Sequence, residues 1–277
     1  RIIDHEKTFR DRGSGFVVVQ WWFIQTKLYT KGLYPLIKYK KFNILSSIYL
    51  HKPAEFMNRI ILKKRKEMVD IINKYYEVDD LKDALDIGTT NDMEYSHSNY
   101  LIKNLKNIKV FKSISDQKIN STFFIKSLNK SILEKFSYEE INQYSSDLVL
   151  SSATIEHVGS STNQLQMISN IIKLTKKNFV LIAPNRYHPI DFHTQIPLIH
   201  WLPKKIHRKI LSLIGLKFYS KEENLNLLSK TDLINLLNNF DTIQYEIRYI
   251  NLLGLKSNYI IFGKIINSSE QSKWKNF

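Results

Sequence analysis

Residues 81–105, with the sequence LKDALDIGTTNDMEYSHSNYLIKNL, predict the fold of this chain. Residues 84–87 form a short apolar run that carries Asp86 and ends at Gly88, which is how a buried parallel strand reaches a binding crevice. After a polar loop, apolar side chains recur at helical spacing, namely Tyr100, Leu101, Ile102 and Leu105. The stretch therefore predicts a strand, a tight loop and a helix, an arrangement that binds nucleotide-like ligands. A strand with one Asp and one Gly also occurs in α/β proteins that bind nothing there.

A second block, residues 146–159 with the sequence SDLVLSSATIEHVG, follows the same pattern. The run Asp147-Leu148-Val149-Leu150 predicts a central buried strand, and small residues such as Ser152 follow at its carboxyl end, where ligands bind. An acid beside an imidazole, Glu156 and His157, comes next. This edge of the predicted sheet therefore carries the groups best suited to chemistry.

The chain then alternates helix and strand. Residues 163–177 predict a helix with lysines at its C-terminus, and residues 178–183 predict a buried strand that is closed by Pro184-Asn185-Arg186. Residues 108–114 and 122–125 predict the second and third strands. The repetition predicts an α/β fold with a doubly wound, mostly parallel sheet and right-handed crossovers.

The carboxyl third predicts a different ending. Residues 231–240 predict a helix with Ser229 and Asp232 as a capping pair, followed by strands at 243–249 and 259–266. These strands predict a terminal antiparallel hairpin, which brings the sheet to seven strands. A dehydrogenase-type sheet would continue with further parallel units.

The order of DIG loop, SSATIEHVG, helix and APNR resembles the class I S-adenosylmethionine-dependent methyltransferases, in particular the methyltransferase type 11-like branch with EHV after the fourth strand. The resemblance covers roughly residues 81–266. It implies a Rossmann-like fold, S-adenosyl-L-methionine as cofactor and methyl transfer as the activity. The chain departs from the DxGxG pattern, with Thr90 in place of a second glycine and Asp92 in place of a later one. A branch with a GTT loop has a similar later pattern, here Pro184-Asn185-Arg186, Pro189 and His193-Thr194.

The resemblance places the cofactor on the first loop. It implies contacts from Asp86, Gly88 and Thr90, with Thr89 in the same turn, and Ser152 lies at the next strand end. A carboxylate that holds the ribose hydroxyls is expected near the end of the second strand. The expected position is close to Ser113, and the nearest acid is Asp116.

His157 and Glu156 are the predicted catalytic residues. An imidazole suits proton transfer near neutral pH, so His157 is assigned as proton acceptor or acceptor-positioning group, and Glu156 could orient its ring or hold the acceptor. The alternative is a histidine that caps the following helix or fills a gap beneath the cofactor. An acid and a histidine without further ligands are thin grounds for a metal ion, so none is predicted.

Composition limits the classes of protein. A chain of 277 residues, 43% of them apolar, can bury the core of one domain with an appendage. The absence of cysteine excludes disulfides, thiolate metal sites and a cysteine nucleophile, and it fits the reducing cytoplasm, the expected location. The net charge of +15 favours anionic partners, although a lysine-rich solvated surface would give the same value.

The predicted organisation has three parts: an N-terminal arm at 1–50, a methyltransferase domain at 51–267 with a lid insertion at about 186–228, and a tail at 268–277. The arm carries Trp21 and Trp22 before a tract of lysines and aromatics, a composition suited to the surface of an anionic membrane. An arm packed on the domain is the alternative. The lid insertion combines an apolar side with a basic rim, which would enclose a partly apolar or anionic acceptor, unless its helix merely covers the sheet.

Three functions remain open from the sequence. The preferred one is a methyltransferase acting on a small molecule or on a glycan-linked or lipid-linked intermediate. An RNA methyltransferase is favoured by charge, but the chain has no Asn-Pro-Pro-Tyr type block for a base amine and no appended RNA-binding domain. A non-catalytic protein with a degenerate cofactor loop is the third.

Overall fold

The structure, a computed structural model, describes residues 59–77, 79–92, 98–194 and 196–266. The predicted N-terminal arm, residues 51–58 of the predicted domain and the predicted tail lie outside these residues. The described residues form the predicted seven-stranded sheet with helices on both faces.

The sheet has the order β3-β2-β1-β4-β5-β7-β6. Strands β1 to β5 are parallel, whereas β7 runs antiparallel to both β5 and β6. The strands are β1 Asp83–Ile87, β2 Val110–Ser115, β3 Lys126–Asn129, β4 Ser146–Ser152, β5 Thr175–Pro184, β6 Ile243–Leu252 and β7 Leu255–Ile265. The doubly wound parallel sheet with a terminal antiparallel pair is confirmed.

One helix precedes the first strand, and five helices and two single 3₁₀ turns lie between strands in the described part of the chain. The helices are α1 at 59–75, α2 Tyr100–Lys103, α3 Tyr138–Tyr144, α4 Ser161–Leu174, α5 Lys204–Leu213 and α6 Lys230–Leu237, and the turns are Ile155–His157 and Ile199–Trp201. The predicted capping pair of α6 is confirmed: Ser229 accepts from the Asp232 amide, and the Asp232 carboxylate accepts from the Ser229 amide.

Alternation along the strands divides the core between the two faces of the sheet. Leu85 and Val149 pack in the cluster that contains Met167 of α4 and residues of α6. Ala84 and Leu148 pack in the other cluster, with residues of α1 and α2. Since both faces are covered, the central strands are apolar throughout, as a parallel sheet requires. Ligands can therefore reach these strands at their ends.

Two element predictions were wrong. The third strand is not at 122–125 but at Lys126–Asn129, because Phe123 stacks on Phe111 and Phe124 is buried in the loop before the strand. Helix α4 does not reach residue 177, since it ends at Leu174 and β5 begins at Thr175. Lys176 and Lys177 belong to β5, and their Nζ atoms lie 3.9 Å from Asp83 of β1 and 3.2 Å from Asp147 of β4.

Candidate functional site

The DIG loop lies at the carboxyl end of β1 and is fixed by its own side chains. Asp86 is buried, and its Oδ2 accepts a hydrogen bond of 2.6 Å from the Thr89 hydroxyl. The Thr89 carbonyl accepts from the Ser115 hydroxyl at 2.6 Å, and the Thr90 amide donates to Asn99 Oδ1 at 3.0 Å. Thr90, which stands in place of the second glycine of the DxGxG pattern, therefore makes a hydrogen bond that fixes the loop. The departure from glycine leaves a well-bonded turn.

Gly88 cannot be replaced without disturbing the adjacent turn. Its φ is +85°, which side chains rarely adopt, and a Cβ atom built there would lie 2.3 Å from the Thr154 hydroxyl oxygen. Thr154 directly precedes the 3₁₀ turn Ile155–His157. The DIG loop and the EHV turn therefore contact one another at one edge of the sheet.

The carboxyl group of Asp86 has an unusual protonation equilibrium. Burial raises its pKa to about 6, although the hydrogen bond from Thr89 acts in the opposite direction. That hydroxyl is a neutral donor and brings no compensating charge to the carboxylate. A cationic group brought to the loop would stabilise the charged form.

The other three residues predicted to bind the cofactor, Ser113, Asp116 and Ser152, differ in their exposure. Ser113 lies inside β2, fully buried, with its hydroxyl 2.8 Å from that of Ser127. Asp116 is exposed and directly follows the last residue of β2. Ser152 is the last residue of β4, half-buried, and pairs with Ile182 of β5. Asp116 and Ser152 are thus accessible at strand ends, whereas Ser113 is occupied within the sheet.

Glu156 is the most unusual charged side chain at this edge. It has no exposed surface, and neither carboxylate oxygen has a hydrogen-bond partner among the described residues. Its Oε1 lies 3.9 Å from Nε2 of His157 and 3.7 Å from Nε2 of His193. Burial raises the pKa of Glu156 to about 7, and the charge of His193 acts in the opposite direction.

His157 has a defined tautomer in the structure. Its Nδ1 lies 2.7 Å from the Asn224 carbonyl oxygen, which can only accept, so Nδ1 carries the proton and Nε2 has a free lone pair. Desolvation and the charge of His193 lower the pKa of the ring. The lone pair of Nε2 therefore lies on the side of Glu156, and 37% of the His157 side chain is exposed.

His193 joins Glu156 and His157 in a three-residue cluster. His193 lies outside the two sequence blocks, residues 81–105 and 146–159. Its Nδ1 lies 3.0 Å from Asp191 Oδ1, and the rings of His193 and His157 are 4.9 Å apart between centroids. Asp191 is buried and also accepts hydrogen bonds from the Thr194 hydroxyl and amide. Burial alone would lower the pKa of His193, but the hydrogen bond to Asp191 and its charge raise it.

Residues from the lid insertion hold the EHV turn. The Asn226 amide donates to the Glu156 carbonyl at 2.7 Å, and the Asn226 side chain donates to the Gly159 carbonyl at 2.7 Å. Gln164, the buried side chain in the first turn of α4, donates to the carbonyls of Ile155 and Asn226. Sequence reasoning missed Asn224, Asn226 and Asp191. Gln164 and Asn170 are polar residues on the buried face of α4, and a polar residue among apolar ones at helical spacing is a signal that the sequence offers.

The lid insertion also differs in part from its prediction. Its own apolar cluster contains Leu211, Leu216, Tyr219, Leu225 and Leu227. Ile206 and Leu213 of α5, however, are 49% and 76% exposed, beside the exposed Lys205 and Lys209. Much of the apolar surface of this helix therefore faces outwards instead of lining an enclosed space. Among the described residues, no helix has the length and apolarity to cross a membrane.

A wide groove of the described structure lies elsewhere. It has a volume of about 710 Å³ and is lined by residues at the amino ends of β1 and β5, among them Asp79, Lys176 and Lys177. The two motifs lie at the opposite edge, where parallel α/β sheets bind their ligands. The carboxyl edge is therefore the candidate site.

No protein-family model and no curated protein matches the sequence. Among solved structures, an O-methyltransferase family protein from Burkholderia thailandensis is similar, with TM-score 0.50 and 9% identity over 92% of this chain and 73% of that chain. Magnesium protoporphyrin IX methyltransferase from Synechocystis PCC 6803 with bound S-adenosylhomocysteine has TM-score 0.48 and 12% identity over 82% and 95% of the chains. The N-methyltransferase NodS from Bradyrhizobium japonicum WM9 has TM-score 0.45 and 9% identity over 75% and 88%. The likeness at these identities is one of fold.

Proposed function

We propose that the protein is an S-adenosylmethionine-dependent methyltransferase whose acceptor is a small molecule or a glycan-linked or lipid-linked intermediate. The observation that carries the proposal is the contact between the DIG loop and the EHV turn at the carboxyl edge, marked by Gly88 against Thr154. The fold agrees, because in open α/β sheets ligands bind outside the carboxyl ends of the strands.

Two features of the first loop fit this cofactor. Gly88 adopts a positive φ that lets the DIG loop turn tightly against Thr154, and Asp86 is a buried carboxyl group whose charged form a bound ammonium group would stabilise. Asp116, exposed at the end of β2, would hold the ribose hydroxyls. When bound, S-adenosylmethionine supplies a methyl group on a sulfonium, ready for transfer to a nucleophile.

The acceptor would lie at the EHV turn. Alignment of the nucleophile with the methyl group supplies most of the rate, and a base is needed only where the acceptor must lose a proton. The Nε2 lone pair of His157 can accept that proton or hydrogen-bond the acceptor, because Nδ1 already donates to Asn224. Glu156, which has no exposed surface and lies 3.9 Å from Nε2 of His157, would orient that ring.

A lipid-linked acceptor is supported by the outer surface of the lid insertion. Trp201, Ile206, Leu213 and Phe218 are all at least 45% exposed, and Lys205, Lys209 and Lys217 are exposed among them. Apolar side chains interspersed with lysines are typical of helices that lie in the interface of an anionic membrane. We propose that this surface brings the site to a lipid-linked substrate. The predicted contribution of residues 16–41 remains part of this proposal.

Calorimetric titration with adenosylhomocysteine tests the cofactor assignment. Asp86→Ala and Gly88→Val should each weaken binding by at least about tenfold. The first substitution removes the carboxylate, and the second displaces the loop because the new side chain clashes with Thr154. Gly215→Val is the matched control, because Gly215 has a φ of +88° but a Cβ added there would meet no atom within 4 Å. Wild-type affinity in both loop variants would contradict the placement.

The same titration separates the rival functions. A degenerate, non-catalytic loop predicts that the wild-type protein does not bind adenosylhomocysteine. An RNA methyltransferase predicts retention of RNA that weakens steeply as salt is raised. Binding of adenosylhomocysteine without RNA retention is the expected result.

A further inference from the structure

We propose that Glu156, His157 and His193 bind one divalent transition-metal ion. One ligand atom from each side chain can be chosen so that all three lie within 4.8 Å of one another. An ion bound to these nitrogens and the oxygen at about 2.0–2.2 Å would draw the three ligand atoms closer together. Glu156 and His157 come from the turn after β4 and His193 from the loop after β5, so the ligands converge from two separate crossovers.

The hydrogen bonds at Nδ1 of His157 and His193 are of the kind that metal-binding histidines make. Nδ1 of His157 donates to the Asn224 carbonyl at 2.7 Å, and Nδ1 of His193 lies 3.0 Å from the Asp191 carboxylate. Ligating histidines commonly donate their second ring N–H to a carbonyl or a carboxylate, which fixes the tautomer and aims the other nitrogen at the ion. In both rings the nitrogen left over is the Nε2 on the side of Glu156.

The third observation concerns Glu156 itself. A fully buried carboxylate whose two oxygens have no hydrogen-bond partner among the described residues is costly, and buried polar groups in proteins nearly always have a partner. A divalent cation held by the two Nε2 atoms would supply that partner. Asp191 adds negative charge behind His193, and Glu156 and Asp191 together favour a cation at the centre of the cluster.

The donor set selects the kind of ion. Two imidazole nitrogens and one carboxylate suit Zn²⁺, Mn²⁺, Fe²⁺ or Co²⁺, whereas Mg²⁺ and Ca²⁺ prefer sites built from oxygen alone. Three protein ligands leave coordination positions open for a further oxygen. The cluster is therefore suited to an ion that binds a second molecule.

The consequence for the substrate rests on the proposed function. An ion at this place would bind a hydroxyl oxygen of the acceptor and lower its pKa. The hydroxyl would release its proton to solvent, its oxygen would form the new bond to the methyl carbon, and the carbon–sulfur bond would break with its electron pair left on sulfur. The acceptor class is then a hydroxyl compound able to coordinate a metal, such as a vicinal diol. Nε2 of His157 has one lone pair, which would be bound to the ion. In that case His157 would act as a metal ligand and not as the proton acceptor.

Metal content provides the direct test. The full chain is freed of metal with a chelator, dialysed against Zn²⁺, Mn²⁺ or Co²⁺, and analysed for bound ions per chain. Glu156→Gln and His193→Asn should each lose one bound ion relative to wild type, or bind it at least about a hundredfold more weakly. His207→Asn is the control, because His207 is also buried in the lid insertion but does not belong to the cluster. Asp191→Asn should weaken binding by about 10-fold to 100-fold through the His193 ring alone.

The result that overturns the proposal is equally direct. It is wild-type protein that binds none of the three ions at micromolar concentrations, or wild-type stoichiometry and affinity in both ligand variants. If the variants fail to fold, pulsed electron paramagnetic resonance of Mn²⁺ on the wild-type protein decides, since a spectrum without coupling to imidazole nitrogen overturns the assignment. Calorimetry with adenosylhomocysteine on the same samples keeps the two proposals separate. Cofactor binding without metal would reject the metal site alone, and metal binding without cofactor would reject the methyltransferase alone.

Discussion

Nε2 of His193 lies 3.7 Å from Oε1 of Glu156, although His193 follows the fifth strand and Glu156 follows the fourth. Parallel pairing of β4 with β5 aligns Ser152 with Ile182, so the loops that leave these strands start side by side. Asp191 then fixes the His193 ring, and Asn224 fixes the His157 ring. The sheet and the lid insertion thus build the cluster together.

Substitution of Gly88 should be costly because of Thr154. We expect Gly88→Ala to lower the free energy of unfolding by about 3 kcal/mol, as the sum of an unfavourable positive φ and a clash with the Thr154 side chain. Denaturant titration gives the value. Gly215→Ala should cost only about 1 kcal/mol, since its φ is equally positive but the space around it is open.

The Thr154→Ala background isolates the clash. Removal of the hydroxyl and methyl groups should reduce the cost of Gly88→Ala by about 1 kcal/mol or more, because the nearest remaining atom, the residue's Cβ, is 3.1 Å away. Strict additivity of the two substitutions would show that the contact has no energetic role.

The ion pair between Asp83 and Lys112 should make a large contribution to stability at neutral pH. The pair is 2.8 Å apart, and the two side chains are 13% and 8% exposed. Asp83→Asn should lower the free energy of unfolding by about 3 kcal/mol, because it leaves Lys112 buried without its countercharge. The exposed pair of Arg248 with Glu246 is the control, and Glu246→Gln should change stability by less than about 1 kcal/mol.

The effect of Asp83 should disappear in acid. Burial alone would raise its pKa, but hydrogen bonds from Lys112 and the Asp147 amide outweigh burial and hold the pKa below the ordinary value of 3.8. A lowered carboxyl pKa contributes stability above pH 3.8, and that contribution is lost as the pH falls through the folded value. Unfolding free energies of wild type and Asp83→Asn should therefore differ most above pH 3.8 and approach one another as the pH falls below it, and a constant difference would contradict this account.

Affinity for adenosylhomocysteine should depend on the ionisation of Asp86. Burial raises the pKa of this carboxyl to about 6 in the free protein, whereas a bound ammonium group favours the charged form. Binding should be strongest above about pH 6 and weaken by up to about tenfold for each pH unit below it. Asp86→Asn should bind weakly at every pH without that slope. Equal affinity of the wild-type protein at about pH 5 and about pH 8 would argue against an ammonium at Asp86.

The lid insertion should bind anionic vesicles. Co-sedimentation with phosphatidylserine-containing vesicles is expected at low salt and should weaken as salt is raised, because lysines contribute to the attraction. Ile206→Asp with Leu213→Asp should abolish it by placing charge in the apolar surface. Leu253→Asp is the matched control, since Leu253 is 86% exposed in the turn between β6 and β7.

Deletion of residues 1–45 from the otherwise wild-type chain tests the share of the predicted arm, and the deletion should weaken vesicle binding. Binding that is insensitive to salt, or that survives both the paired Asp substitutions and the deletion, would reject a membrane surface on this protein.

The sequence by itself determined the sheet and placed the two motifs at the carboxyl ends of its strands. Apolar runs such as 84–87 and 147–150 indicate strands that are buried on both faces of the sheet. Gly88 indicates a turn with a positive φ that other residues rarely adopt. Both features depend on the local backbone and on neighbouring side chains, so they can be read from the sequence. The capping pair of α6 was predictable for the same reason.

Only the tertiary structure decided which polar groups meet. Glu156 and His157 were adjacent in sequence, but the third member, His193, and the partners Asp191 and Asn224 come from segments that no periodicity connects. The outward direction of Ile206 and Leu213 likewise depends on how the lid insertion packs. Residue spacing indicates whether one segment forms a helix or a strand. The convergence of side chains from several segments depends on strand register and on how the loops fold over the edge of the sheet. Register and loop positions are fixed only when the core is packed.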